Sequence, residues 1–200
     1  MIITQIKKEK HTYTLFVDDE YFTQISQNTL VKFGFNKGQT LSVSLEEIER
    51  EEFLQSCLNK ALDLLSRRSY ATLELHEKLI LKGFPEQSVT DTIEKINTLG
   101  YLNDQHFAES FVHDKQHFQK WGKRKIEYEL SGKGIHFLPE SYNEDLELEN
   151  ARDLIEKKRR SLKESDPNYI QKLKRYLVSK GFEFTTIEEA ITSVFQTYKK

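Results

Sequence analysis

Apolar positions recur with helical spacing along most of the chain after residue 46. Residues four apart lie on one face of a helix, and three segments share a phrase built on this spacing. In each phrase an apolar residue precedes a leucine, a Lys-Gly pair and a second apolar residue. The copies are Leu75, Leu79, Lys82, Gly83, Phe84; Ile126, Leu130, Lys133, Gly134, Ile135; and Leu173, Leu177, Lys180, Gly181, Phe182. Each copy predicts a helix end, because glycine accepts the left-handed cap conformation and lysine suits the negative end of the helix dipole.

The three phrases lie roughly 50 residues apart, a period typical of tandem helical units. Apolar stripes with the same spacing flank the phrases, and Cys57 lies in the first stripe as an expected core residue. The second unit lacks a strong third stripe, and a helix from residue 139 to about 146 is predicted there. We therefore predict a mainly α protein of three tandem three-helix, helix-turn-helix-like modules in an elongated array, at residues 46–100, 101–146 and 147–200.

The first 45 residues have a different pattern. Segments 2–8, 12–17 and 21–25 are rich in β-branched and aromatic residues, with Asp18-Asp19 as a turn between the last two. A short helix over residues 28–35 is predicted to cover the resulting sheet, since three strands alone have little core. We expect a small β-rich accessory region.

Composition narrows the class of protein. Only 37% of the residues are hydrophobic and 31% are charged, which favours several small cores over one large core. One cysteine allows no internal disulfide, and no leader or membrane span is evident, so we expect a cytoplasmic protein. We also expect a monomer. The net charge is −2, but basic residues concentrate in the last quarter and acidic residues before it. This asymmetry suits a partner of mixed charge, such as a protein-coated nucleic acid.

Three further motifs, read in order with the helix-end phrases, carry a resemblance. They are Leu64-Leu65-Ser66-Arg67-Arg68, then Gly100-Tyr101-Leu102-Asn103-Asp104, then Trp121-Gly122-Lys123-Arg124-Lys125-Ile126. With them the chain resembles the RecX family, whose members modulate the RecA recombinase. The resemblance implies no catalytic activity and no cofactor. It also implies docking in the groove of the RecA filament, with inhibition of ATP hydrolysis, strand exchange or filament growth as the expected effect in recombinational DNA repair.

The resemblance is incomplete at the start of one helix. Ala71 stands where the family usually has a serine cap, so the cap is either missing or passed to Thr72. Loss of a cap costs about 1 kcal/mol of local stability. The fold is expected to survive this change.

Three cations in the first turn of a predicted helix form the first candidate contact site. Lys123, Arg124 and Lys125 face the positive end of the helix dipole, at a cost of about 0.3–1 kcal/mol each. Together with free backbone N–H groups they could receive a phosphate or a partner's carboxylate. Alternatively, nearby glutamates and solvent neutralise them. Trp121 either packs between helices, which we favour, or stacks on a base.

Other basic groups extend the candidate site. Arg67 and Arg68 end a long helix, where they either contact a partner or simply stabilise the helix terminus. The last module carries two basic runs, interpreted as phosphate or acidic-protein contacts or as solvated faces. The runs are Lys157, Lys158, Arg159, Arg160 and Lys163, and then Lys172, Lys174 and Arg175.

Motifs of catalysis are missing from the sequence. No phosphate-binding glycine loop, nucleophile elbow or cysteine cluster appears, so we expect no enzyme activity. His113 and His117 have the spacing of zinc-protease ligands, but no third ligand is placed, and we expect no metal. The competing functions are a stand-alone helix-turn-helix protein that binds DNA and a structural adaptor for another protein. Direct DNA contact is expected to be weak and nonspecific.

Overall fold

The computed structural model describes residues 1–162 and 166–197. The described chain forms two compact units. The first contains Met1–Tyr70 and Leu75–Leu102, and the second contains Ala71–Glu74 and the described residues from Asn103 onward. Two positions included in the predicted patterns, Lys163 and Tyr198, lie outside the described residues.

The first unit opens with the predicted small sheet. Strands β1 (Ile3–Lys8), β2 (Thr12–Val17) and β3 (Glu20–Ser26) pair antiparallel in the order β1-β2-β3. The turn between the last two strands places Asp18 and Asp19 at φ 51° and 68°, a conformation that aspartate tolerates in tight turns. Helix α1 (Gln27–Phe33) follows and ends at Gly34, earlier than predicted.

Helix α2 (Leu45–Leu65) joins the sheet to the first helical module. A reciprocal capping box between Ser44 and Glu47 starts the helix. Its first turns bury Ile48 in the core of the sheet, whereas Cys57 lies farther along in the core shared with α3 (Thr72–Ile80) and α4 (Glu86–Thr98). One long helix therefore serves two hydrophobic cores.

The second unit contains five helices among the described residues. They are α5 (Asp104–His117), α6 (Lys123–Ser131), α7 (Glu144–Arg159), α8 (Tyr169–Lys180) and α9 (Phe184–Thr197). One core forms around α5 and α6, and a second core forms among α7, α8 and α9. The fold class is thus confirmed as mainly helical with a small N-terminal sheet.

The helix predicted from residue 139 to about 146 is wrong. A turn forms there instead, in which the Tyr142 N–H donates to the Pro139 carbonyl at 3.0 Å. Asn143 then caps α7, because its side chain accepts from the Leu146 N–H at 2.9 Å. Gln116 holds the backbone of Asn143 through two hydrogen bonds of 3.1 and 2.9 Å, so the chain cannot continue as one helix through this point.

The three helix-end phrases adopt equivalent local structures. Gly83, Gly134 and Gly181 have φ of 87°, 79° and 90°. In each case the residue after the glycine donates its N–H to the leucine five positions before it, as in a Schellman cap. The six apolar residues that precede these caps are fully buried: Leu75, Leu79, Ile126, Leu130, Leu173 and Leu177. The predicted helix ends are confirmed.

The missing serine cap at residue 71 is replaced by a carboxylate. Asp104 accepts a hydrogen bond from the Thr72 backbone N–H at 2.8 Å and from the Thr72 hydroxyl at 3.1 Å. A carboxylate at this position also suits the positive end of a helix. Ala71 itself is fully buried in the core around α5 and α6. The start of α3 is therefore capped from elsewhere in the second unit.

Candidate partner-binding site

The cationic start of α6 lies directly against the end of α8. The Gly122 N–H donates to the Lys180 carbonyl at 3.0 Å, and the Arg124 N–H donates to the Gly181 carbonyl at 3.0 Å. The unpaired N–H groups of one helix thus satisfy the unpaired carbonyls of another. The negative end of the α8 dipole offsets the positive end of α6, where three cations would otherwise be unfavourable.

The remaining N–H groups of this turn are also occupied. The Lys123 N–H donates to Glu147 Oε1 at 2.8 Å, and the Lys125 N–H donates to the Gly122 carbonyl at 3.2 Å. The expectation that free N–H groups receive an anion here is therefore wrong, because the chain's own acceptors take them. Only the side chains of Lys123, Arg124 and Lys125 remain available for a partner.

Glu147 is a buried carboxyl group at this junction. Burial raises its pKa, because removal from water disfavours the charged form, while the hydrogen bond from the Lys123 N–H acts in the opposite direction. Tyr142 lies close by, and burial together with the charge of Glu147 raises the pKa of its hydroxyl group. The junction therefore contains a carboxyl group whose charge is costly.

Trp121 packs against the core around α5 and α6, as we favoured from the sequence. Two ammonium groups lie over its ring: Lys125 Nζ at 4.1 Å from the ring centroid and Lys115 Nζ at 4.7 Å. Both distances are within the range of a cation–π interaction. Arg124, in contrast, is exposed to solvent.

The two arginines at the end of α2 make local contacts. Arg67 forms an ion pair with Asp63 at 2.9 Å, and Lys60 pairs with the same carboxylate at 2.8 Å. These partners lower the pKa of Asp63 through hydrogen bonds from Lys60 and Arg67. The Arg68 guanidinium lies 3.6 Å from the centroid of the Tyr70 ring. Both arginines therefore have partners within the first unit.

Several cations of the last module are paired with carboxylates. Arg159 contacts Glu156 at 3.3 Å, Lys172 pairs with Asp166, and Lys174 pairs with Glu188. The hydrogen bond from Lys172 lowers the pKa of Asp166. Among the described residues of this module, the exposed cations are Lys157, Arg160, Lys172 and Arg175. The predicted basic runs therefore contain both paired and solvent-facing groups.

Lys180 and Lys115 lie beside aromatic rings, although sequence reasoning did not select them as contact residues. Lys180 Nζ lies 5.9 Å from the centroid of the Tyr176 ring, and Lys115 lies over Trp121 as described above. Lys158, which the sequence did select, has its Nζ 5.4 Å from the same Tyr176 ring. A usable signal was present for Lys180, because Tyr176 precedes it by four residues in the same helix. An aromatic residue and a lysine at this spacing share a helical face.

The described residues contain neither a metal-binding cluster nor a membrane-spanning helix. Within residues 1–162 and 166–197, no group of three or more His, Cys, Asp or Glu side chains is placed to hold a metal ion. His113 and His117 stack with ring centroids 4.3 Å apart. In the same part of the chain, no helix combines the length and apolar character needed to cross a membrane.

Family models match all three helical modules. Residues 57–95 match the first three-helix domain of RecX, residues 103–136 match the second, and residues 144–191 match the third. The second matched segment contains α5 and α6 and ends before the turn at Pro139. Each of the three matched segments contains one complete helix-end phrase.

Similarity to individual proteins extends beyond these segments. The chain is 34% identical to the regulatory protein RecX of Caldanaerobacter subterraneus subsp. tengcongensis, over 96% of this chain and 98% of the relative. It is 30% identical to the regulatory protein RecX of Listeria innocua, over 91% of this chain and 71% of the relative. A crystal structure of RecX from Lactobacillus salivarius, 28% identical, superposes with a TM-score of 0.64 over 73% of this chain and 99% of that chain. The chain therefore belongs to the RecX family of regulatory proteins.

Proposed function

We propose that this chain is a non-enzymatic regulator that binds the RecA filament on single-stranded DNA and inhibits its activity in recombinational DNA repair. The observation that carries the proposal is the threefold recurrence of one helix end, with the same glycine cap and the same buried pair. Repeated modules offer repeated surfaces, and a filament offers repeated protomers. Weak contacts to neighbouring protomers then add through effective concentration, so a filament is a better target than a free subunit.

The basic side chains are the proposed contact residues. The full set is Arg67, Arg68, Lys123, Arg124, Lys125, Lys157, Lys158, Arg159, Arg160, Lys172, Lys174 and Arg175. Arg124 and Arg175 represent this set in the second and third modules, because both are exposed and neither forms an ion pair within the described part of the chain. An exposed cation that gives up no internal partner binds an anionic surface at the lowest cost. A cytoplasmic monomer is part of the same proposal.

A titration of the purified chain into RecA on single-stranded DNA tests the proposal. ATP turnover and strand exchange are expected to fall as the chain is added. The double variant R124Q/R175Q is expected to need about tenfold more protein for the same inhibition, as for loss of two charged contacts. The matched control K37Q/K95Q removes two exposed cations outside the proposed set and should inhibit like the unaltered chain. No effect on either activity at stoichiometric excess contradicts the proposal.

The alternative function is that of a stand-alone DNA-binding protein, and a second titration tests it. Duplex DNA without RecA is expected to bind weakly, since acidic residues dominate the first three quarters of the chain. Tight binding to the duplex with a steep salt dependence would favour this alternative, because such dependence reports displaced counterions. The measurement is fluorescence anisotropy of a labelled duplex over a range of salt concentrations.

A further inference from the structure

The end of α3 is left open, whereas the equivalent helix ends of the other two modules are covered. The end of α8 meets the first turn of α6, as described above, and Phe182 beyond its cap is buried. The end of α6 meets the first turn of α3, because a Cβ on Gly134 would lie 2.9 Å from the Cβ of Leu73. Lys133 also pairs with Glu74 there at 3.3 Å. In both cases the start of a helix covers this position.

Nothing in the described part of the chain takes this place at the end of α3. A Cβ built on Gly83 would meet no atom within 4 Å beyond its chain neighbours. Among the described residues, the carbonyl oxygens of Lys82 and Gly83 accept no hydrogen bond, and the Lys82 ammonium group pairs with no carboxylate. Phe84 is only half-buried, although its equivalents Ile135 and Phe182 are buried. This end therefore lacks the cover that the other two receive.

The surface around the open end is apolar where its equivalents are not. Leu81 is 86% exposed and Ile80 is 36% exposed. The positions equivalent to Leu81 are Gly132 and Ser179, so the helix cap itself does not require an apolar residue there. With Phe84, the two side chains line an open groove of about 560 Å³. A group of exposed apolar side chains, unlike a single one, is typical of an interaction surface.

The charge at the rim of the groove favours a positive occupant. Glu77 and Glu86 line the rim together with His76, and neither carboxylate forms an ion pair among the described residues. The C-terminal end of α3 adds the negative end of its dipole. The N-terminal end of a second helix would supply the opposite dipole, and its unpaired N–H groups could donate to the carbonyls of Lys82 and Gly83.

We propose that the groove at the end of α3 binds the first turn of a helix in a protein partner, one that starts with glycine or alanine and carries a cation. The two covering helices start after such small residues, Gly122 before α6 and the buried Ala71 before α3. A second copy of the chain cannot supply α8 in this way, because the equivalent residue is Tyr169, which lies in its own core. The proposal does not rest on the filament function, since the groove residues lie outside the basic set.

An acetylated, helix-stabilised peptide of about 16 residues that begins Gly-Lys-Arg-Lys, the sequence of residues 122–125, is the probe. Added to the isotope-labelled full chain, it is expected to shift the NMR signals of Leu81 and Gly83 but not that of Gly181, whose position is already covered. L81Q should weaken the affinity about tenfold, because a buried leucine contact is lost. The control L99Q alters another leucine of the first unit, which is 60% exposed, and should bind within about twofold of the unaltered chain.

Two further peptides separate shape from charge. Tyrosine in place of the first glycine should weaken binding about tenfold, because it prevents the close approach to backbone atoms. Three glutamates in place of the cations should weaken it as well, because Glu77 and Glu86 repel them. Circular dichroism checks that each variant of the chain is folded.

Three results would overturn the proposal. The first is the absence of a shift at Gly83 with millimolar peptide. The second is equal affinity for all three peptides, or equal affinity of L81Q and L99Q for the probe. The third is self-association of the unaltered chain in sedimentation velocity that L81Q abolishes, since a second copy would then cover the groove.

Discussion

The backbone N–H of Gly122 donates to the carbonyl oxygen of Lys180 at 3.0 Å, so α6 begins where α8 ends. The bond joins main-chain atoms of the second and third modules. A Cβ on Gly122 would lie 2.5 Å from the Gly181 carbonyl carbon and from the Phe182 Cα. Glycine is needed at residue 122 for close approach, since its φ of −82° is one that any residue adopts.

Substitution of Gly122 by alanine should therefore weaken the second unit. A methyl group forced against backbone atoms cannot be relieved by a rotamer change, so G122A is expected to lose about 1–3 kcal/mol of unfolding free energy. Urea denaturation followed by Trp121 fluorescence measures the loss. The matched control is G132A, because a Cβ there meets only carbonyl oxygens at 3.6 and 3.7 Å. If G122A and G132A were equally stable, the close approach would be contradicted.

The three cap glycines should differ in their tolerance of alanine. All have positive φ, and an added Cβ costs about 1–2 kcal/mol in that conformation. Gly83 has no atom within 4 Å of the added carbon, Gly134 has side-chain atoms of Leu73 from 2.9 Å, and Gly181 has the backbone nitrogen of Lys125 at 2.6 Å and its Cβ at 2.2 Å. The loss of stability should increase in the order G83A, G134A, G181A. Equal losses would show that the surroundings contribute nothing.

Substitutions of Glu147 should separate its charge from its hydrogen bond. E147Q keeps an oxygen that can accept from the Lys123 N–H and removes the buried charge, so it should be at least as stable as the unaltered chain at pH 7. E147A leaves that N–H without its acceptor and is expected to lose about 1–3 kcal/mol. Urea unfolding of both variants at pH 7 measures the difference. A stable E147A would contradict the role of the carboxyl group as a helix cap.

The same carboxyl group gives a pH dependence with a defined sign. Its pKa in the folded chain is raised above the ordinary value of 4.5, so the folded state retains the proton to higher pH than the unfolded state does. Stability relative to E147Q should therefore fall as pH rises from about 4.5 through the folded pKa, and then stay constant. Below pH 4.5 this difference should not change with pH. An advantage over E147Q that grows with pH would reverse the assignment.

Cys57 should report the opening of the first unit. Its side chain is fully buried, and burial raises the pKa of the thiol, so both access and thiolate formation are suppressed. Reaction with Ellman's reagent in native buffer is expected to be at least about a hundredfold slower than in urea. Labelling of Cys57 over a range of urea concentrations can be compared with the unfolding transition followed by Trp121 fluorescence. The comparison shows whether the two units unfold together. Rapid labelling of the native chain would contradict the burial of Cys57.

Local sequence was sufficient to predict the helix ends and the sheet. Lys-Gly after a buried pair specifies a cap through short-range hydrogen bonds, and Gly181 shows this with bonds to Leu177 and Val178, which are only four and three residues away. The break at residues 139–142 was missed because Gln116 imposes it from a distant helix. Helical periodicity does not contain that contact.

The candidate site depended much more on tertiary structure. The sequence placed Lys123, Arg124 and Lys125 in a first turn, but it could not show that α8 and Glu147 fill the N–H groups of that turn. It also treated Lys180 as a helix-end residue. The position of Lys180 beside Lys125 follows from the packing of two modules, which no local pattern encodes.

The sequence by itself determined which segments are helices, where their glycine caps lie and to which family the chain's motifs point, since each depends on neighbours within about one or two helical turns. The tertiary structure decided which charges are paired, which N–H groups are free and which cations become neighbours. Those properties depend on the chain's long-range contacts, as at Gly122 and Lys180, where backbone atoms from different modules come within hydrogen-bond distance.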